Sequence, residues 1–164
     1  MSLQPRVTVV IPCRDDAEFL EPCLQALAAQ THPADRVIVV DNGSTDASAE
    51  VARRYGAIVV EEPVVGIWPA ASRGYDEALE GSDVIARIDA DSRPHPDWIS
   101  RIVRAFVADP GLGVLTGGAE FYGASPLVNY LGEHWYIGGG HYWIKKFLGI
   151  PLVLGYLSRT IGER

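Results

Sequence analysis

At 164 residues, 48% of them hydrophobic and 21% charged, the chain is long enough for one domain with a real core, too short for two, and not disordered throughout. Its formal net charge of -7 argues against a nucleic-acid partner held on a basic surface, so an anionic ligand would have to be gripped locally by a metal, helix N-termini or single arginines. Cys13 and Cys23 read as reduced structural thiols, and Met1 to Pro5 carries no apolar signal segment, so a cytoplasmic protein is expected.

From the start of the chain, Arg6 to Ile11 is a β-branched run stopped by Pro12, which predicts a buried strand. Asp15 or Asp16 is placed to cap a helix whose apolar positions Phe19, Leu20, Cys23, Leu24 and Leu27 keep helical spacing as far as Thr31-His32-Pro33. Pro22 falls early in that helix, where a missing N–H costs least. Val37 to Val40 predicts a second strand, closed by Asp41-Asn42-Gly43-Ser44. Ser44 to Asp46 supply cap chemistry for a short helix to Tyr55, with Gly56 as its stop. Ala57 to Val60 makes a third strand, and a helix from about Pro69 to Glu80 ends at Gly81.

The stretch Val84 to Trp98 organises the rest. A short apolar run delivers Asp89 and Asp91 to the end of a strand, and a loop punctuated by Pro94 and Pro96 follows. If the extended geometry persists, residues two apart share a face, and the two carboxylates converge on one cation. A pair of solvated loop aspartates fits the spacing alone equally well. Pro96 and Asp97 then suit the first turn of a helix with Trp98, Ile99, Ile102, Val103 and Phe106 as its apolar face, ending at Asp109-Pro110-Gly111. Val114 to Tyr122 is one more predicted strand. Wholly apolar strands alternating with helices imply an α/β fold, a mostly parallel sheet flanked by helices, with ligands outside the carboxyl ends of its strands. Cys13-Arg14-Asp15-Asp16, Asp41-Asn42 and Asp89-Ala90-Asp91 all fall at such ends.

From Gly123 the character changes, which divides the chain into 1–122 and 123–164. Residues 135–157 run from an aromatic, glycine-rich tract through Lys145-Lys146 into a charge-free apolar stretch, shorter than the roughly 20 residues that span a bilayer. Three readings stay open: the wall of an acceptor site, a segment lying against a membrane surface, or core.

Four blocks together resemble the nucleotide-sugar half of the inverting family 2 glycosyltransferases, over about Arg6 to Tyr122. They are Val7-Thr8-Val9-Val10-Ile11-Pro12-Cys13-Arg14-Asp15; Val39-Val40-Asp41-Asn42-Gly43-Ser44-Thr45-Asp46; Gly66 to Gly74 with Arg73; and Ile88-Asp89-Ala90-Asp91 with Pro94, Pro96, Asp97 and Trp98. The resemblance implies a Rossmann-like GT-A fold, apparently truncated in its acceptor half, and transfer of a sugar from a UDP- or GDP-sugar donor with inversion. It places Pro12, Arg14 and Asp15 along the nucleoside and Asp41 on the base. It brings Arg73 toward the diphosphate, although Ala71-Ser72-Arg73-Gly74 departs from the family's Ala-Arg-Asn and a surface arginine would read the same. It further implies that Asp89 lies near the ribose and that Asp91, with Asp89 beside it, meets a Mn2+ or Mg2+ ion on the diphosphate.

The family's acceptor base, an aspartate well beyond the Asp-x-Asp pair, has no evident counterpart. Of the later acids Asp97, Asp109, Glu120, Glu133 and Glu163, Glu120 is the best placed, as a weak candidate. The competing class is therefore a donor-binding module without turnover. A phosphatase of the haloacid dehalogenase type also uses Asp-x-Asp after an apolar strand, but it places the pair near the N-terminus. A nucleotidyltransferase of related fold would want a glycine in the loop after the first strand, where Pro12 to Asp16 has none. The sugar, the acceptor and the oligomeric state are not written in these residues.

Overall fold

The computed structural model describes residues 4–115, 117 and 157–159. The first apolar run becomes β1 (Val7–Cys13), buried at every position. It is followed by α1 (Ala17–Ala28), β2 (Arg36–Asp41), α2 (Ser48–Arg54), β3 (Ile58–Glu61), α3 (Ile67–Leu79), β4 (Val84–Arg87), α4 (Trp98–Ala108) and β5 (Leu157–Arg159). The strands lie in the order β3-β2-β1-β4-β5. The first four are mutually parallel, and β5 pairs antiparallel with β4 at the edge. Contacts divide the chain into residues 1–115 with 157–164, and residues 116–156.

The apolar strands are buried because both faces of the sheet are covered. Side chains alternate along β1. Val7, Val9 and Ile11 pack in one cluster with Leu20, Cys23, Leu24 and Leu27 of α1 and Ile99, Ile102, Val103 and Phe106 of α4. Val10 faces the other way, into a cluster with Ile38, Val40, Val60 and Ile85 and with Ala70 and Ala78 of α3. Each large aliphatic side chain so buried stabilises the fold by about 1.5–3 kcal/mol. Helix α3 packs tightly on the sheet at Gly74, where an added Cβ would clash with Val10 Cγ1 and lie 2.9 Å from Val40 Cγ2.

Several boundaries differ from expectation, for identifiable reasons. Pro12 does not stop β1 but pairs with Val40 inside it. Along β1 the odd-numbered residues bond toward β2, as in Asn42 N–H to Cys13 O, and the even-numbered ones toward β4, as in Ile88 N–H to Val10 O. The β4 pairing ends at Val10↔Arg87, so the missing N–H of Pro12 falls where no ladder continues. Helix α1 stops at Ala28, and Phe19, expected on its apolar face, is 52% exposed. Pro22 is its sixth residue, past the first turn. Helix α2 begins at Ser48, just beyond the expected cap segment Ser44 to Asp46, because Asp41, Gly43 and Ser44 are used in a turn closed by Ser44 N–H to Asp41 Oδ1 at 2.9 Å. Helix α3 starts earlier, at Ile67, behind Gly66 with φ 145, a conformation that favours glycine.

The most consequential difference is at β4, which ends at Arg87. Asp89 and Asp91 follow in a turn closed by Ser92 N–H to Asp89 O at 3.0 Å. Extended geometry does not persist through the pair, so two-residue spacing no longer implies a shared face. The expected strand 114–122 lies outside the described residues beyond Leu115, Gly117 apart, as does the tract 135–157 up to Leu157. Among the described residues, no helix is long and apolar enough to cross a membrane.

Candidate functional site

Parallel pairing brings the carboxyl ends of β1 to β4 to one rim, so the loops after Cys13, Asp41, Glu61 and Arg87 share an edge. On that rim, Pro12, Cys13, Arg14, Asp16, Asn42, Val65, Gly66, Ile67 and Ala70 line a cleft of about 170 Å³. Pro12 and Arg14, which the resemblance sets along a nucleoside, both line this cleft, and the Arg14 guanidinium is half-exposed. Asp16 and Asn42, expected at strand ends on the ligand rim but not singled out as binding residues, also line it.

Asn42 holds the wall. It is 3% exposed, and its backbone N–H extends the sheet by donating to Cys13 O at 2.9 Å. Its side-chain Nδ2 donates to Glu62 O and to Val64 O, each at 2.8 Å, while Oδ1 accepts from Gly66 N–H at 2.7 Å. One buried amide thereby fixes three points of the β3–α3 loop. The exposed Val64 and Val65 project from that loop, and the exposed Ile67 and Trp68 from the first turn of α3. The signal for this role was slight, a short amide next to glycine at a strand end, which equally suits a simple turn.

The neighbouring acids are mostly engaged in joining loops. Asp15 adopts φ 51, and its Oδ1 accepts from Thr45 N–H at 2.6 Å and Thr45 Oγ1 at 3.0 Å. Those bonds, the backbone one first, hold its carboxyl below the usual range. Asp15 N–H and Asp16 N–H donate to the hydroxyls of Ser44 and Ser48. Asp16 occupies the cap position of α1 without a side-chain capping bond. The α1 N-terminus is capped from the other loop instead, by Ala17 N–H to Asp46 Oδ2 at 2.9 Å. Asp46 Oδ1 takes the hydroxyl and N–H of Ser48, and these bonds, with that of Ala17, lower its pKa. Asp41 spends Oδ1 on Ser44 N–H. Neither Asp15 nor Asp41 is among the cleft-lining residues.

Beyond β4, Asp89 pairs with Arg87 Nη2 at 2.8 Å, and Asp91 is exposed. The loop after them is fastened to the end of α1. Buried Gln30 donates to His95 O at 2.8 Å and accepts from Ile99 N–H at 3.0 Å, and Thr31 N–H donates to Pro96 O. Asp97 takes Arg101 and then His95 as partners, which lowers its pKa. Both thiols are free and buried. Burial pushes Cys13 up to about 11 and Cys23 up to about 12, with the charge of Asp91 adding to the second. Arg73 sits on α3 and pairs one turn further on with Glu77 at 3.6 Å, and it is not among the cleft-lining residues. Glu120 lies outside the described residues.

The donor chemistry at Asp89 and Asp91 suits a hard divalent cation. Among the described residues no group of three His, Cys, Asp or Glu side chains is assembled to hold one. Two carboxylates in one turn supply hard oxygen donors, and such an ion takes its remaining ligands from water and phosphate oxygens.

The family model described as Glycosyl transferase family 2 matches residues 8–155. The glycosyltransferase AglE of Haloferax volcanii is 33% identical over 128 residues, covering 73% of this chain and 41% of that protein. An uncharacterised glycosyltransferase of Mycobacterium tuberculosis is 39% identical over 111 residues, covering 68% of this chain and 47% of its own. The chain thus spans less than half the length of these two relatives. Among solved structures, glucosyl-3-phosphoglycerate synthase of M. tuberculosis with Mn2+, UDP and glucosyl-3-phosphoglycerate superposes with a TM-score of 0.65 at 24% identity, over 94% of this chain and 57% of that one. A mannosyltransferase of Pyrobaculum calidifontis with GDP-Man and Mn2+ gives 0.59 at 28% identity, over 73% and 37%.

Proposed function

The chain belongs to glycosyl transferase family 2, and on that premise we propose that it binds a nucleoside-diphosphate sugar along the carboxyl rim of its sheet and transfers the sugar, with inversion, to an acceptor. The observation that carries this reading is the cleft at the ends of β1 and β2, walled by the Asn42-anchored loop, on the same rim as Asp89 and Asp91. The similar mannosyltransferase holds GDP-Man with Mn2+, which supports a nucleoside-diphosphate-sugar donor and a divalent ion here.

Pro12 and Arg14 would lie along the nucleoside, with the half-exposed guanidinium exchanging its long 3.9 Å pairing with Asp15 Oδ2 for phosphate oxygens. Asp41 would use the carboxylate oxygen not taken by Ser44 N–H to accept from a base N–H. Asp91, with Asp89 beside it, would hold Mn2+ or Mg2+, which when bound offsets the charge of the departing nucleoside diphosphate. A carboxylate takes the proton of the acceptor hydroxyl as its oxygen bonds to the anomeric carbon, on the face opposite the leaving diphosphate. Glu120 is the candidate for that base.

Calorimetric titration of UDP and GDP with Mn2+ into wild type and Asp91→Ala tests the reading. Wild type binds one of the two, and the variant binds it at least about tenfold more weakly, the loss of roughly 1.4 kcal/mol or more. The thermal midpoint stays near wild type, because an exposed acid costs the fold little when removed. Equal affinity in the variant refutes the role of Asp91. Donor binding without transfer to any acceptor would instead favour a binding module lacking the base.

A further inference from the structure

Arg87 is the last residue of β4, and only 11% of its side chain is exposed. It follows Ile85 by two positions, so it lies on the α3 face of the sheet, where Ile85 packs with Val10 and Ile38. A guanidinium so placed is costly, and an aliphatic side chain would suit an apolar face better. Its Nε is buried with no hydrogen-bond partner. Its one ion pair among the described residues is Nη2 to Asp89 Oδ1 at 2.8 Å. Folding alone gives little reason for this arrangement.

The two acids of the turn are treated unequally. Asp89 is fixed at its side chain by Arg87 and at its carbonyl by Ser92 N–H, with Cys23 Sγ also 3.8 Å from that carbonyl. Asp91 has no hydrogen bond or ion pair among the described residues. Since β4 has already ended, strand geometry does not aim Asp89, and the bond to Arg87 takes over that task.

Building on the donor-binding reading above, we infer that Arg87 is a positioning residue. It clamps one oxygen of Asp89, offsets that charge, turns the remaining oxygen toward the donor, and leaves Asp91 as the carboxylate available to the cation. Mn2+ binding without nucleotide, followed by electron paramagnetic resonance, and nucleotide binding with Mn2+, followed by calorimetry, separate this role from a merely structural one. In Arg87→Met the freed Asp89 joins Asp91, so Mn2+ alone binds more tightly than to wild type. Nucleotide affinity moves the opposite way, about tenfold weaker for the loss of a charge-assisted bond. Asp89→Ala removes the same bond from its exposed end, where folding is tolerant, and weakens nucleotide binding by a similar factor. The double variant is no weaker than either single one, because both remove one interaction.

Parallel weakening of Mn2+ and nucleotide in Arg87→Met together with a large fall in midpoint overturns the inference, as does additivity of the two substitutions. Unchanged nucleotide affinity in both single variants overturns it while leaving donor binding intact. A wild-type protein that binds neither UDP nor GDP would overturn the donor reading itself, and the inference with it.

Discussion

Removing the Asn42 side chain is the sharpest test of how the cleft is built. Asn42→Ala deletes the bonds to Glu62 O, Val64 O and Gly66 N–H. At a net of about 1 kcal/mol each, the loss is about 3 kcal/mol. The larger penalty for stranded buried groups is mostly escaped, because the loop is open to solvent, with Val64 61% and Val65 60% exposed, and its carbonyls can turn to water. For a chain of this size, about 3 kcal/mol corresponds to a fall of roughly 6–12 °C in midpoint. The wall formed by Val65, Gly66 and Ile67 then lacks its anchor, so nucleotide affinity falls by more than the melt alone explains at a temperature where the variant is fully folded. Asn42→Asp keeps the acceptor for Gly66 N–H but sets a carboxylate against two carbonyl oxygens, and it should be at least as damaging at neutral pH. Thermal and urea denaturation with calorimetric UDP and GDP titrations read both effects. An Asn42→Ala protein with wild-type stability and affinity would refute the claim that this amide supports the wall.

Two further outcomes follow from packing and charge. Gly74→Ala should destabilise by about 1–3 kcal/mol through overpacking, outweighing the roughly 1 kcal/mol alanine gains in helix propensity, because its Cβ meets Val10 and Val40. A raised urea midpoint would contradict the close approach of α3. The Asp46 carboxyl lies below its ordinary value of 3.8, so its contribution is present above that pH and lost as pH falls through the depressed value. Urea midpoints of wild type and Asp46→Asn from pH 6 to pH 2 should therefore converge at the acid end, and a constant gap would refute the linkage.

The strands were readable because β-branched runs buried on both faces leave an unbroken apolar signature, and the parallel sheet followed from their alternation with helices. What escaped sequence reasoning was long-range or terminal. Asp46 caps the helix after the other loop, a partnership no local cap pattern contains, and Asp16, the local choice, makes no such bond. Spacing by two at Asp89 and Asp91 promised a shared face only while the strand lasted, and no residue announced its end at Arg87. Pro12 was read as a stop although only the ladder to β4 would have missed its N–H. Asn42 looked like half of a turn because its three partners lie 20 to 24 residues away. Its neighbour Asp41, by contrast, was visible as a rim acid.

Side chains, not backbone ladders, join the segments after β1 and β2. Asp15 and Asp16 reach Ser44, Thr45 and Ser48, and Asp46 reaches back to Ala17. Such reciprocal stitching makes the two segments inheritable only as a pair. One residue inserted into either would pull donors off acceptors in the other, so a chimera that borrows the 41–48 segment from a relative has to borrow 13–17 with it.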